Sequence, residues 1–312
     1  MSTSVLRTAD AWWVRTSSGA ARVDTSATTT AELLRERSAI ADAAAATDTV
    51  PIASLALVSP VTAPCRVVAQ LTNYVSHVKD TGGNPETVPL TFFRKSSGSI
   101  SGPYDQVVRP AHVRLLDYEV EIGLVIGRQI GVDSDIADDA LADYVAGLVV
   151  TNDVSARDVQ LPQTQFYEAK SYPTFTPVGP ELVLLDVDEL KRFTDLRLNL
   201  WVNGELRQDR TAADMIYPPL AALRALARFQ RLDPGDVLLT GTPVGTALSA
   251  PPKPVQFLGS LLPPALKWKI FFSGQAKNLK YLQDGDVIEA AVATDGGAID
   301  LGIQRTPVRW TR

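Results

Sequence analysis

The chain has 312 residues, of which 45% are hydrophobic and 21% charged, and a formal net charge of −5. That length buries a full core and suits one large domain with a smaller unit beside it, and the composition lies far from that of disordered chains. The mild acidity offers no basic field for a phosphate backbone, so no nucleic-acid partner is expected. The single cysteine, Cys65, cannot close an internal disulfide, which suits a reducing compartment. No stretch reaches the roughly 18–20 apolar residues of a membrane span, and the N-terminus lacks a signal-peptide core. A soluble, cytoplasmic protein without a membrane partner is therefore expected.

Taken in chain order, Ala11 to Asp24 alternate around Ser17-Ser18-Gly19, which predicts a small hairpin. Thr29 with Glu32 forms a capping-box pattern ahead of Leu33, Leu34, Ile40, Ala41 and Ala44, whose spacing predicts one helix. Prolines 51, 60 and 64 then punctuate short apolar segments. They place a boundary between a small N-terminal unit, residues 1–64, and a main domain, residues 65–312. The main domain reads as sheet-dominated. Leu196, Leu198, Leu200 and Val202 alternate up to Asn203-Gly204, a hairpin signal, and Leu232–Leu239 and Leu282–Ile288 repeat a turn-then-strand pattern. Helices are predicted over Ala137–Val145 and Pro218–Gln230.

The candidate chemistry begins in Asp117-Tyr118-Glu119-Val120-Glu121-Ile122. Strand alternation puts Asp117, Glu119 and Glu121 on one face. Such a row is either a solvated face or a set of hard oxygen ligands for Mg2+, Mn2+ or Ca2+. Asp153 follows an apolar strand end, where it is either a turn or capping residue or a third ligand. Only His77 and His112 are available as bases near neutrality. His77 has Asp80 three residues on, which makes either a surface pair or an oriented dyad; His112 reads as structural. Lys170 is either solvated or placed to neutralise an anion. Gly241-Thr242-Pro243-Val244-Gly245 is either a tight turn or a close backbone approach to a ligand. No Walker lysine pattern, strand-linked GxGxxG or GxSxG elbow is present.

In this order, from about Val67 to Gly245 and again from Leu282 to Val308, these segments resemble the fumarylacetoacetate hydrolase family. The resemblance is carried by Asn73-Tyr74 with His77, the Asp117 to Glu121 strand, Asn152 to Asp158, Lys170-Ser171, Gly179-Pro180, Pro234-Gly235-Asp236 and Gly241 to Gly245. It implies an α+β, sheet-dominated fold of the mixed β-sandwich roll type and a homodimer. It implies Mg2+, with Mn2+ or Ca2+ as substitutes, held by Glu119, Glu121 and Asp153. By the same matching His77 becomes the general base, Asp80 its partner and Lys170 a stabiliser. Arg157, Gln160 and Thr242 become substrate contacts, and Tyr74 and Arg94, the latter in a Phe93 to Ser96 loop, line the pocket mouth. The activity implied is hydrolysis of a carbon–carbon bond in a 1,3-diketone or acylpyruvate, with the departing enolate steadied by the ion. The alternative is isomerisation or decarboxylation of an oxaloacetate-type oxo acid. A non-catalytic ligand binder is a third reading, opposed by the full residue set.

Two departures stand out. Relatives commonly carry glutamate where this chain has Asp80, one methylene shorter. An apolar insertion over about 250–280 includes Phe257 to Pro264 and then Trp268, Ile270, Phe271 and Phe272. Apolar groups in such number are expected to cover the active site or a dimer interface, and a lid of this kind would suit a cyclic or aromatic diketone.

Overall fold

A computed structural model describes residues 2–163, 166–250 and 262–311. Two sheets carry the fold. The larger has nine strands, in the order Gly19–Arg22, Trp12–Thr16, Thr3–Arg7, Leu182–Leu184, Val145–Asn152, Val120–Ile126, Val237–Leu239, Val67–Gln70 and Phe92–Lys95. The smaller has five, in the order Glu205–Thr211, Leu196–Val202, Val287–Thr294, Asp300–Trp310 and Val107–Arg109. This is the sheet-dominated α+β architecture expected. No described helix is long and apolar enough to cross a membrane.

Alternation along the central strands sorts side chains between two cores. Val68, Ile122, Leu124, Leu148, Val150 and Leu238 share one core with Leu196, Leu198, Leu200, Ile288, Ala290 and Val292 of the smaller sheet. Val67, Ala69, Val125, Val149, Val237 and Leu239 share the other with Leu33, Leu34, Ile40 and Ala43 of the N-terminal helices. A strand covered on both faces needs apolar residues at successive positions, which is why Val120–Ile126 is buried throughout. At Gly147 this strand system admits no side chain. A Cβ there would lie 2.3 Å from the carbonyl of Val183 on the neighbouring strand.

The N-terminal residues join the main sheet, since Thr3–Arg7 pairs antiparallel with Leu182–Leu184. The expected hairpin is formed by Trp12–Thr16 and Gly19–Arg22. Thr29 and Glu32 make the capping box, but the helix it starts ends at Leu33 and a second runs Arg37–Ala45. At the break the Glu36 carboxylate turns back to accept the Thr25 hydroxyl at 2.5 Å. Asn203 and Gly204 both adopt positive φ, 52° and 78°, as a type I′ hairpin turn requires. Of the helix expected over Ala137–Val145 only Leu141–Tyr144 is helical, because Val145 already belongs to a buried, valine-rich strand. Of the helix expected over Pro218–Gln230, the part Pro219–Leu226 is helical.

Within the insertion, residues 251–261, which include Phe257 to Leu261, lie outside the described residues. The rest forms the helix Pro264–Gln275. Trp268 stacks on Phe272 at 5.4 Å, and Phe272 packs against the core between the sheets. Leu266 and Ile270 are exposed.

Candidate metal centre and active site

The strands Val120–Ile126 and Val145–Asn152 are antiparallel neighbours, and Glu121 sits opposite Thr151. Where the pair ends, the Asn152 side-chain oxygen accepts the Glu119 amide at 2.9 Å and the Asp153 amide donates to the Glu119 carbonyl at 2.8 Å. These bonds fix two otherwise irregular chain ends against each other. One carboxylate oxygen from each of Glu119, Glu121 and Asp153 lies within 4.8 Å of the others, and all three residues are buried. Asp117 does not join them, despite sharing their alternation. Leu116–Asp117 pairs with Ser155–Ala156 in a separate ladder, so the strand is interrupted before Glu119 and its parity does not carry across. The Asp117 carboxylate instead accepts the amides of Tyr118, Ala247 and Leu248 at 2.9, 2.7 and 3.1 Å, and Arg157 Nε at 2.8 Å.

Three cations face the acids. Lys170 Nζ donates to Glu119 at 2.7 Å and to Asp153 at 2.6 Å. Arg157 Nη2 donates to Glu119 at 2.5 Å and Nη1 to the Gln160 side-chain oxygen at 2.9 Å. Lys95 Nζ pairs with Asp153 and donates to the Phe175 carbonyl at 2.9 Å. Arg157 and Gln160, expected at the substrate, are thus buried in the wall of the site and bonded to each other. A buried guanidinium must be paired with anions, and Asp117 and Glu119 supply them. Sequence reasoning singled out Arg94 and passed over Lys95. The segment expected as a loop is the edge strand Phe92–Lys95, and on a strand only one of two adjacent residues can face the acids. Lys95 faces inward. Arg94 pairs with Val68, is exposed, and lines a pocket of about 580 Å³ with Phe92, Phe93, Tyr167 and Phe229.

The charges are unequally compensated. Burial alone would raise the Glu119 pKa, but Lys170, Arg157 and His77 outweigh it and bring it to about 2. Burial disfavours the Lys170 ammonium, yet Asp153 and Glu119 together raise its pKa. For Lys95 burial prevails over Asp153 and the pKa is lowered. Glu121 is pushed well above the usual carboxylate range by burial and by Asp153 and Glu119. Among the described residues its hydrogen-bond donor is the Gly241 amide, at 2.7 Å. A buried, oxygen-only donor set with one carboxylate short of a counter-charge fits a hard divalent cation.

His77 lies on the helix Val75–Asp80, buried, and among the described residues Nδ1 has no hydrogen-bond partner. Burial lowers its pKa, with Arg157 and Lys170 adding to the effect against Glu119 and Asp117. The imidazole therefore stands neutral beside the acids. Among the described residues Asp80 makes no hydrogen bond with it. His77 turns toward the buried cluster, while Asp80 sits half-buried at the end of the helix. Tyr74 is fully buried in the main core, and burial together with Glu121 holds its hydroxyl protonated. The Thr242 hydroxyl donates to the Val120 carbonyl at 2.9 Å and accepts Gln208 Nε2 at 2.8 Å. His112 is exposed and 2.7 Å from the Tyr172 hydroxyl.

Known proteins are similar to this chain in sequence and in fold. The chain is 37% identical over 204 residues to the human mitochondrial oxaloacetate tautomerase FAHD2A, covering 65% of this chain and 63% of that protein. The chain thus spans less than two thirds of the length of that relative. Among solved structures, a "probable 2-hydroxyhepta-2,4-diene-1,7-dioate isomerase" from Mycobacterium abscessus is 31% identical, with a TM-score of 0.75 and all of both chains covered. A fumarylacetoacetate hydrolase from Exiguobacterium antarcticum is 27% identical, with a TM-score of 0.72 over 99% of this chain and 100% of that one. Residues 66–309 match the family model for the fumarylacetoacetate (FAA) hydrolase C-terminal domain, so the chain belongs to the fumarylacetoacetate hydrolase family.

Proposed function

We propose that the chain is a divalent-metal enzyme acting on a small 2-oxo acid, and that its central step is proton transfer at the carbon next to the oxo group, as in a tautomerase or isomerase. The observation that carries this reading is His77, neutral, buried and with Nδ1 unpartnered beside Glu119. A base in that state can take a proton from carbon and return it at a neighbouring atom. Lys170, held between Glu119 and Asp153, compensates the negative charge that develops on the substrate. Arg157 keeps Glu119 oriented. Glu119, Glu121 and Asp153 would hold Mg2+ or a similar ion, which supplies polarisation of the oxo group when bound. Tyr74, Gln160 and Thr242 border this region in the same proposal, Arg94 serves from the pocket it lines with Phe92 and Phe93, and a homodimer is its assembly. The tautomerase and isomerase among the relatives support the reading.

Hydrolysis of a 1,3-diketone or acylpyruvate is the second reading. It is favoured by Asp80, three residues from His77 on one helix face, where a rotation of either side chain would let the carboxylate orient the imidazole for water activation. One experiment separates the two. Oxaloacetate and a simple acylpyruvate are incubated in deuterated buffer with Mg2+ or EDTA and followed by NMR. Metal-dependent deuterium incorporation at C3, lost in His77→Ala, is expected. Cleavage of the acylpyruvate at a rate above that incorporation would favour hydrolysis, and neither reaction with metal bound would remove both readings.

A further inference from the structure

Asp117 has no part in the chemistry above, yet it is a fully buried carboxylate that accepts from four donors. We propose that Asp117 is a positioning residue that ties the root of the 250–280 insertion to the metal-binding carboxylate Glu119 by way of Arg157. The inference rests on the metal site proposed above and adds a structural route into it.

The insertion enters on Asp117 itself and returns on its neighbours Ala247 and Leu116. The chain enters it after Ala247 and Leu248, whose amides hold the two Asp117 oxygens at 2.7 and 3.1 Å. It returns at Asn278, whose Nδ2 donates to the Ala247 carbonyl at 2.8 Å, and at Leu282, whose amide donates to the Leu116 carbonyl at 2.9 Å. The oxygen that accepts Leu248 also accepts Arg157 Nε, and the far side of that guanidinium ends on Glu119 at 2.5 Å. Arg157 is planar and its donors keep a fixed geometry, so a shift of the Asp117 carboxylate must move the Nη2 donor or break a buried bond. Either outcome changes how Glu119 presents its oxygens. Ala247, Asp117, Arg157 and Glu119 are thus joined by three consecutive buried hydrogen bonds of 2.7, 2.8 and 2.5 Å.

An amide in place of Asp117 offers one acceptor oxygen, so two of the four donors would face an NH2 group. Asn278 supplies a remote probe, because among the described residues its hydrogen bonds run to Ala247 and to its own turn, at Gln275, Lys280 and Tyr281, and not to the acids or Arg157. The experiment measures Mn2+ affinity by calorimetry and amide exchange of the 245–250 backbone, with and without Mn2+, in the full-length chain. Asn278→Ala is expected to weaken Mn2+ binding by about threefold or more at unchanged metal-free melting temperature. Asp117→Asn should weaken it further and abolish any Mn2+-dependent protection of 245–250. In an Arg157→Lys background, which keeps the charge and loses the fork, the Asn278→Ala effect should shrink to within about twofold. Wild-type affinity in Asn278→Ala, or its full effect persisting without Arg157, would overturn the proposal. If Asp117→Asn does not fold, those two comparisons still decide it. Failure of the wild type to bind Mn2+ would instead overturn the metal site, a result distinct from binding that ignores Asn278.

Discussion

Replacing Lys95 by methionine tests whether the buried cations are stand-ins for a divalent ion. The side chain is fully buried, paired with Asp153 and bonded to the Phe175 carbonyl at 2.9 Å. Breaking a buried ion pair from one side costs about 3–5 kcal/mol, because the remaining charge stays in low dielectric. Here Asp153 keeps Lys170 at 2.6 Å, and removal of a buried ammonium also relieves its own desolvation, so the lower end, about 3 kcal/mol, applies to the metal-free protein. At roughly 2–3 °C per kcal/mol for a chain of this size, the melting temperature should fall by about 6–9 °C. With Mn2+ present the order changes. Asp153 has lost a competitor for one of its oxygens, so the variant should bind Mn2+ more tightly than wild type, and metal at 100 times Kd contributes about 2.7 kcal/mol. The metal-induced rise in melting temperature should therefore be larger in Lys95→Met than in wild type. Differential scanning fluorimetry with EDTA or graded Mn2+ reads both quantities. Equal metal-free stability together with an equal metal-induced shift would refute the reasoning.

Three residues, Glu121, His77 and Gly147, carry the further predictions. Because Glu121 holds its proton well above the usual carboxylate range, metal binding must release it: affinity should rise with pH, and calorimetry in buffers of different ionisation enthalpy should report net proton release. The same raised pKa makes the metal-free protein lose stability as pH climbs from the ordinary carboxylate range through the folded value, so Glu121→Gln should remove that decline while weakening metal binding by more than about tenfold. Burial lowers the His77 pKa below 6.5, so its contribution to stability is complete above pH 6.5 and is lost as pH falls through the folded value. The acid limb of activity should lie below pH 6.5 for the same reason, and His77→Ala should cost about 10²–10⁴-fold in rate with Mn2+ affinity within about twofold of wild type. Finally, Gly147→Ala would set a Cβ 2.3 Å from the Val183 carbonyl and should destabilise by about 3 kcal/mol, read by urea denaturation.

Features governed by near neighbours along the chain were legible in the sequence. The Thr29–Glu32 capping box depends on four consecutive residues, and the Asn203-Gly204 turn on two that tolerate positive φ. The closeness of Glu119 and Glu121 is a matter of strand alternation over three residues. Asp153, His77 and Lys170 became candidates through an ordered set of motifs, and the fold brings Asp153 and Lys170 into hydrogen bonds with the site. What the tertiary structure decided are the choices between equivalent neighbours. Lys95 rather than Arg94 faces the acids because the strand Phe92–Lys95 pairs in one register with Val67–Gln70. Asp117 leaves the row because its ladder partner is Ser155, not the next strand of the sheet. Arg157 is turned into the wall because two buried acids need a cation, and Asp80 stays apart from His77 because it sits half-buried at the end of their helix while His77 is buried against the acids. Each of these rests on contacts between residues tens of positions apart, such as the 58 separating Lys95 from Asp153 and the 40 separating Asp117 from Arg157. Local periodicity carries no information about such contacts. The sequence by itself therefore determined which residue types could make a metal centre, and the pairing of distant strands decided which of them do.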